Sequence, residues 1–140
     1  MSTSRASARW EGTLKDGRGN MKPAHAAEVP FNLNTRFAGE KGSNPEELVG
    51  AALAGCFSMA LSAAFSKEGI APKSIQTEAT VQLDKEGDAF RISSIALKTD
   101  VSVTGVSTTQ LETIAQETKR NCPVSKALAG TQITLHATLI

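Results

Sequence analysis

One uncharged run, residues 48–65, constrains the fold more than any other part of the chain. It consists almost entirely of Ala, Leu, Gly, Ser, Phe and Met, and Cys56 lies near its middle. A helix that is apolar on every face is either buried in protein or spans a membrane. This run has 18 residues, the lower end of the spanning range, and six of them are alanines, which favour insertion little. The run therefore favours a buried central helix.

Both ends of this helix carry boundary signals. Asn44 can cap the N-terminus, Pro45 suits the first helical position, and Glu47 lies three residues beyond the cap, as in a capping box. Gly69 is a typical C-terminal stop, with Pro72 just beyond it. The sequence therefore predicts one helix between these limits.

Length, charge and cysteine content set broader limits. A chain of 140 residues suits a single domain, here residues 1–140, and a net charge of +1 predicts neither a nucleic-acid partner nor a membrane partner. The polar N-terminus lacks the apolar region of a secretory signal. Two cysteines do not make a secreted disulfide scaffold. We therefore expect a cytoplasmic protein.

Short strands are predicted before the central helix. Residues 8–14 alternate in polarity, Asp16-Gly17 favours a tight turn, and residues 20–24 can form the return strand. Pro30 restricts the next segment to an edge strand or a loop. Residues 34–43 are polar and rich in glycine, which predicts a loop that carries Arg36.

The second half alternates strands and helices. Residues 75–83 have strict period-two polarity, a hairpin turn is expected at 85–88, and the strand at 90–103 changes phase near Ser93-Ser94, which indicates a bulge. Thr109 and Glu112 have capping-box spacing for a further helix. Pro123 then interrupts the helix and makes Cys122 the N-cap of a short one. A last strand is predicted at 133–139.

These elements predict an α+β fold in which a mostly antiparallel sheet of about six strands wraps around a central buried helix. Because such a sheet covers one face of the helix but hardly every face, the pattern also favours a homodimer.

Cys56 and Cys122 are the obvious reactive groups. The alternative interpretation is that both are small core residues, since unpaired cysteines are often buried. Cys122 differs because it lies at a helix N-terminus after Lys119-Arg120, where N–H groups and cations lower the pKa of a thiol. Metal binding is not expected, because the histidines and cysteines lack ligand spacing.

Four motifs carry a family resemblance. They are FNLNTRF at 31–37, GEKGSNPEEL at 39–48, AGCFSMAL at 54–61 and CPVS at 122–125. Together they resemble the OsmC branch of the OsmC/Ohr family, named for osmotically inducible protein C and the organic hydroperoxide resistance proteins, and the resemblance runs from Trp10 to the last strand. Gly55 replaces the alanine that is frequent in the family, and Leu53 stands where a histidine is common.

This resemblance implies an intertwined OsmC-like α+β homodimer that reduces hydroperoxides with thiols, preferring organic ones, in oxidative or osmotic stress defence. Cys56 would be the peroxidatic thiol and Cys122 the resolving thiol, with Arg36 and Glu46 as the pair that activates the thiolate. The expected reductant is an external thiol, either dihydrolipoamide or a lipoylated protein, and no bound cofactor is implied. The alternative is a non-catalytic homodimer that binds hydrophobic small molecules and has structural cysteines.

Helix spacing adds a prediction about assembly. Glu46 and Cys56 are ten residues apart, roughly 15 Å along one helix, so they cannot meet within one subunit. They could meet if the helix packed antiparallel against a second copy with the two-fold axis near Ala51. The residues around that point are small: Gly50, Ala51, Ala52, Ala54 and Gly55. Given the assigned roles, a C2 dimer with shared active sites follows.

Overall fold

The computed structural model describes residues 1–140 as two compact units, Met1–Glu47 and Leu48–Ile140. The prediction of a single domain stays a prediction. The elements in chain order are β1 (Ala6–Glu11), β2 (Arg18–Pro23), β3 (Val29–Phe31), α1 (Leu33–Phe37), α2 (Pro45–Lys67), β4 (Ser74–Glu86), β5 (Ala89–Ser102), α3 (Thr108–Asn121), α4 (Pro123–Ala127) and β6 (Gln132–Leu139). The predicted α+β class with a central helix is confirmed.

The first unit contains an antiparallel sheet in the order β1-β2-β3. Its hairpin was predicted, although β1 ends at Glu11 instead of continuing to residue 14. The segment around Pro30, for which an edge strand or a loop was expected, is the edge strand β3. Gly19 on β2 pairs with Trp10 and Phe31, whose rings are 5.5 Å apart. A Cβ at Gly19 would lie 2.7 Å from Phe31 and 2.8 Å from Trp10, so only glycine fits beneath these rings.

Helix α1 corrects the predicted loop at 34–43. The Thr35 N–H donates to Asn32 Oδ1 at 2.9 Å, and the Asn32 N–H donates to Thr35 Oγ1 at 3.0 Å. This reciprocal capping box starts a short helix in a segment whose polar composition suggested a loop. Arg36 consequently lies in a helical turn.

The second unit contains the sheet β4-β5-β6. The β4–β5 hairpin is antiparallel, and Ser93 is the extra residue at its bulge, because Gln82 pairs with Ser94 and Leu83 with Ile92. Strand β6 pairs with β5 in parallel. The six strands therefore form two three-stranded sheets, whereas the sequence suggested a single sheet.

Helix α3 begins earlier than its predicted cap. Ser107 is the N-cap and forms a reciprocal box with Gln110, at 3.1 Å and 2.9 Å. The predicted pair, Thr109 and Glu112, has the same spacing but lies inside the helix. Two overlapping boxes fit this sequence, and the structure uses the one nearer the N-terminus.

The central helix α2 has the predicted ends. The Glu47 N–H donates to Asn44 Oδ1 at 2.9 Å, which confirms the cap, while the Glu47 carboxylate accepts from Ser43 Oγ at 2.8 Å instead of reaching back to Asn44. At the C-terminus Gly69 has a φ of 71°, and the Ile70 N–H donates to the Phe65 carbonyl at 2.9 Å. Glycine adopts this left-handed conformation without strain.

One face of α2 is buried in the core. Leu53, Phe57, Leu61 and Phe65, spaced by four residues, have no exposed surface. The opposite face is exposed in the single chain, and its residues are Ala51, Ala52, Gly55, Met59 and Ala63. By length and composition alone α2 also meets the criterion for a membrane span, a test that core helices pass as well.

Phe57→Ala tests the buried stripe. Because Phe57 is fully buried, we expect the substitution to lower the free energy of unfolding by about 3–5 kcal/mol. The matched control is Phe90→Ala, which removes the same atoms from a side chain that is 52% exposed and should cost much less. Urea denaturation of both variants measures the difference, and equal losses would contradict the assignment of Phe57 to the core.

Candidate active site

Two cysteines that are distant in sequence meet in the second unit. Cys56 is in the middle of α2, and Cys122 is the residue that separates α3 from α4. Their Sγ atoms are 2.7 Å apart, and both thiols are free. A disulfide requires about 2.05 Å, so a small movement suffices to join them.

The two thiols differ in exposure. Cys122 is 1% exposed, whereas Cys56 is half-buried. A molecule that arrives from solvent therefore reaches the sulfur of Cys56 before that of Cys122. Exposure makes Cys56 the better candidate for the first reaction with a dissolved substrate.

The acidity of the thiols has the opposite order. Burial raises the pKa of Cys56, and the hydrogen bond with Cys122 raises it further. Burial also raises the pKa of Cys122, but the hydrogen bond from Cys56 and the N–H groups of Ser125 and Val124 outweigh it, so the net pKa is lowered. Either thiol can donate to the other across the 2.7 Å that separates the sulfurs. In the single chain the more acidic thiol is Cys122.

The backbone of Cys122 is fixed on both sides. Its N–H donates to the Thr118 carbonyl at 2.9 Å, and its carbonyl accepts from the Lys126 N–H at 3.0 Å. The sequence predicted the lowered pKa from helix N–H groups and from Lys119-Arg120. The N–H groups contribute, whereas the Lys119 ammonium donates to the Ile133 carbonyl at 3.0 Å.

Arg36 and Glu46 form an ion pair in the first unit. Arg36 Nη2 donates to Glu46 Oε1 at 2.6 Å, and Arg36 Nε lies 3.1 Å and 3.2 Å from the two carboxylate oxygens. The Glu46 residue is 7% exposed, while the Arg36 side chain is 34% exposed. The Phe37 ring covers the guanidinium at 5.0 Å. The carboxylate and the ring hold the guanidinium in one orientation and leave part of it accessible.

A chain of hydroxyl groups fixes α2 on its sheet. Ser58 Oγ donates to Thr77 Oγ1 at 2.8 Å, and Thr77 Oγ1 lies 2.9 Å from Thr99 Oγ1. Thr99 has no exposed surface. Because Ser58 is two residues beyond Cys56, this chain restricts the rotation and sliding of the helix that carries the half-buried thiol. Period-two polarity placed Thr77 on the buried face of β4 but did not indicate this network.

Of the four predicted site residues, the structure thus brings Cys56 to Cys122 and Arg36 to Glu46. Two further residues were not predicted. Phe37 stacks on Arg36, and Ser125 is buried three residues after Cys122. The sequence signal for Phe37 was an aromatic residue directly after Arg36, and Ser125 is part of the CPVS motif. No group of three or more His, Cys, Asp or Glu side chains is arranged to hold a metal ion.

An α+β fold with a central helix that carries a half-buried thiol against a buried one defines a class of dithiol redox proteins. The chain belongs to the OsmC family, because the family model described as "OsmC-like protein" matches residues 38–136. It is 48% identical over 130 residues to peroxiredoxin OsmC of Escherichia coli (strain K12), covering 91% of this chain and 90% of that one.

Two further similarities agree with this family. The chain is 32% identical over 92 residues to the organic hydroperoxide resistance protein OhrA of Bacillus subtilis (strain 168), covering 65% of this chain and 63% of that one. The crystal structure of an OsmC-like protein from Mycoplasma pneumoniae has the same fold, with a TM-score of 0.78, 15% identity, and coverage of 99% and 98% of the two chains.

Proposed function

We propose that this chain is a cysteine-based peroxidase that reduces hydroperoxides, organic ones in preference to hydrogen peroxide. The observation that carries the proposal is the 2.7 Å contact between half-buried Cys56 and buried Cys122. The names of two relatives, peroxiredoxin OsmC and organic hydroperoxide resistance protein OhrA, support it.

The chemistry needs both thiols. The Cys56 thiolate attacks the terminal oxygen of the hydroperoxide, the O–O bond breaks, and the alkoxide leaves as the alcohol after taking a proton. Cys56 is then a sulfenic acid. The Cys122 sulfur displaces its oxygen as water and forms the disulfide, which an external dithiol reduces. The short separation of the sulfurs favours closure before Cys56 is oxidised further.

A cation near Cys56 would offset the burial and the Cys122 hydrogen bond, which raise the pKa of this thiol within one chain. We propose that the cation is Arg36 of a second copy of the chain, oriented by its own Glu46. A guanidinium beside the sulfur favours the thiolate and can donate to the departing oxygen. Glu46 and Cys56 lie ten residues apart on the continuous helix α2, roughly 15 Å, which supports a shared site rather than one built within a chain.

The exposed face of α2 supports the same homodimer. Ala51, Ala52 and Gly55 present small side chains near the proposed two-fold axis, and Met59 is 77% exposed. Gly50, one of the small residues predicted near the two-fold axis, packs instead against β4 of its own chain. A Cβ there would lie 3.0 Å from Val81, so Gly50 is small to fit its own strand β4. We propose that a second α2 covers the exposed face.

The proposed reductant is an external dithiol, either dihydrolipoamide or a lipoylated protein. The cycle consumes reduced thiols, so we place the protein in the cytoplasm, where thiols are kept reduced. Because the proposed reaction removes hydroperoxides, we propose that the protein acts in oxidative or osmotic stress defence.

One assay tests the proposed function. Cumene and tert-butyl hydroperoxide should be consumed with dithiothreitol as reductant, at higher kcat/KM than hydrogen peroxide. No turnover of any peroxide would contradict the proposal and favour the second candidate, a non-catalytic module for hydrophobic small molecules. A groove of about 370 Å³ between α2 and α3 favours that candidate. Its lining includes three charged side chains, Lys67, Glu68 and Glu117, which suit a purely apolar ligand poorly.

Arg36→Ala tests the proposed cation. Without the guanidinium we expect the pKa of Cys56 to rise and the oxidation of Cys56 to slow by at least about tenfold at neutral pH, since one pKa unit corresponds to a tenfold change. The measurement is the pH dependence of Cys56 alkylation in a Cys122→Ser background. Arg36→Lys, which keeps the charge but loses the planar contact with Glu46, should fall between wild type and Arg36→Ala. An unchanged profile for Arg36→Ala would remove Arg36 from the site.

A further inference from the structure

Ser125 carries a buried hydroxyl group that lacks a hydrogen-bond partner in this structure. We propose that this hydroxyl donates a hydrogen bond to the sulfur of Cys122 when Cys122 is a thiolate, and that it thereby activates the thiol that closes the disulfide. The inference rests on the proposed peroxidase function, in which Cys122 is the resolving thiol. Ser125 is 8% exposed, and a buried polar atom without a partner is rare enough to require an explanation.

The position of Ser125 in α4 directs it to Cys122. Cys122 is the N-cap of α4, and Ser125 is the third residue of that helix. Side chains of an α-helix tilt toward its N-terminus, so the Ser125 side chain leans toward Cys122. The N–H and the carbonyl of Cys122 already bond to Thr118 and Lys126. The Cys122 sulfur, which lies 2.7 Å from Cys56 Sγ, can accept a further hydrogen bond from the Ser125 hydroxyl once it is ionised.

The acidity of Cys122 supports this assignment. The two largest influences on the pKa of Cys122 are burial, which raises it, and the hydrogen bond from Cys56, which lowers it. The N–H and the hydroxyl of Ser125 both lower this pKa further. A thiolate accepts several hydrogen bonds, whereas a neutral thiol is a weak acceptor. The hydroxyl is therefore unsatisfied beside the thiol and satisfied beside the thiolate.

The step that uses the thiolate is disulfide closure. The Cys122 thiolate attacks the sulfenic sulfur of Cys56, the S–S bond forms, and the S–O bond breaks. The departing hydroxide takes the proton that Cys122 had released and leaves as water. Cys122 is oxidised and the sulfenic sulfur is reduced, so no further oxidant is needed. Ser125 holds the attacking sulfur in its charged form until the bond forms.

Ser125→Ala separates this role from a structural one. Because the hydroxyl has no partner in the resting state, its removal should leave the thermal stability of the reduced protein unchanged or slightly higher. The loss of a donor to the thiolate should raise the pKa of Cys122, and we expect the rate of disulfide closure at pH 7 to fall roughly tenfold. Sulfenic acid formation at Cys56, trapped with dimedone, should keep its wild-type rate.

A second measurement does not depend on peroxidase activity. In a Cys56→Ser background, the pH profile of Cys122 alkylation should move to higher pH when Ser125→Ala is added. Thr118→Val is the matched control, because Thr118 is 5% exposed and its hydroxyl already donates to the Ile114 carbonyl at 2.7 Å. The charged groups closest to Cys122 in sequence, Lys119, Arg120 and Lys126, are the same in every variant.

The possible outcomes are distinct. If wild-type Cys56 is not oxidised by hydroperoxide, the proposed function fails, while the alkylation profile still tests Ser125. An alkylation profile unmoved by Ser125→Ala, or moved equally by Thr118→Val, would overturn the inference. Strong destabilisation by Ser125→Ala would also overturn it, because the hydroxyl would then have a structural partner.

Discussion

Replacing Cys56 by serine is expected to reduce hydroperoxide turnover to the uncatalysed rate, while replacing Cys122 by serine leaves the first turnover intact. Only a thiolate attacks the O–O bond at a useful rate, and a serine hydroxyl at this site remains protonated. In Cys122→Ser, Cys56 can still be oxidised once but cannot form the intramolecular disulfide. One equivalent of cumene hydroperoxide, followed by intact mass measurement, should show one added oxygen atom in Cys122→Ser and none in Cys56→Ser.

This experiment also decides between exposure and acidity. The greater exposure of Cys56 favours it as the first thiol to react, whereas the lowered pKa of Cys122 favours Cys122. If Cys56→Ser consumes one equivalent of peroxide and Cys122→Ser does not, the roles of the two thiols are reversed. We expect exposure to dominate, because a sulfur that is 1% exposed cannot meet a bulky hydroperoxide without opening of the structure.

Mixing two impaired variants, Cys56→Ser and Glu46→Ala, is expected to restore activity. After joint refolding, Cys56→Ser and Glu46→Ala chains should form heterodimers in which one site holds an intact Cys56 and an intact Glu46 from different chains. The other site carries both substitutions. About half of the dimers are mixed if pairing is random, so recovery should reach up to about a quarter of wild-type activity.

Controls make this result specific. Each variant refolded alone should stay at its parent activity, and differently tagged chains should confirm exchange. A mixture of Cys56→Ser and Cys122→Ser should restore far less, because the two sulfurs meet within one chain at 2.7 Å and every site of the mixed dimer then lacks one of them. No recovery in the Glu46 mixture despite exchange would place the whole site in one chain. Full activity in a monomer would exclude the shared site.

Local sequence signals determined much of the secondary structure. Asn44, Pro45 and Gly69 fixed the ends of α2, because caps and left-handed glycines act over one helical turn. Pro123 fixed Cys122 as an N-cap for the same reason. The phase change at Ser93 located the bulge, since side chains alternate strictly along a strand. The reactive cysteines and their family motifs were also identified from the sequence alone.

The tertiary structure decided what depends on contacts between distant residues. Two capping boxes of equal spacing compete at α3, and the choice of Ser107 over Thr109 is not contained in the spacing. The parallel pairing of β6 with β5 depends on how the chain returns after α4. The order of acidity of Cys56 and Cys122 depends on burial and on hydrogen bonds between segments 66 residues apart. Periodicity describes one element at a time, whereas these properties arise where elements meet.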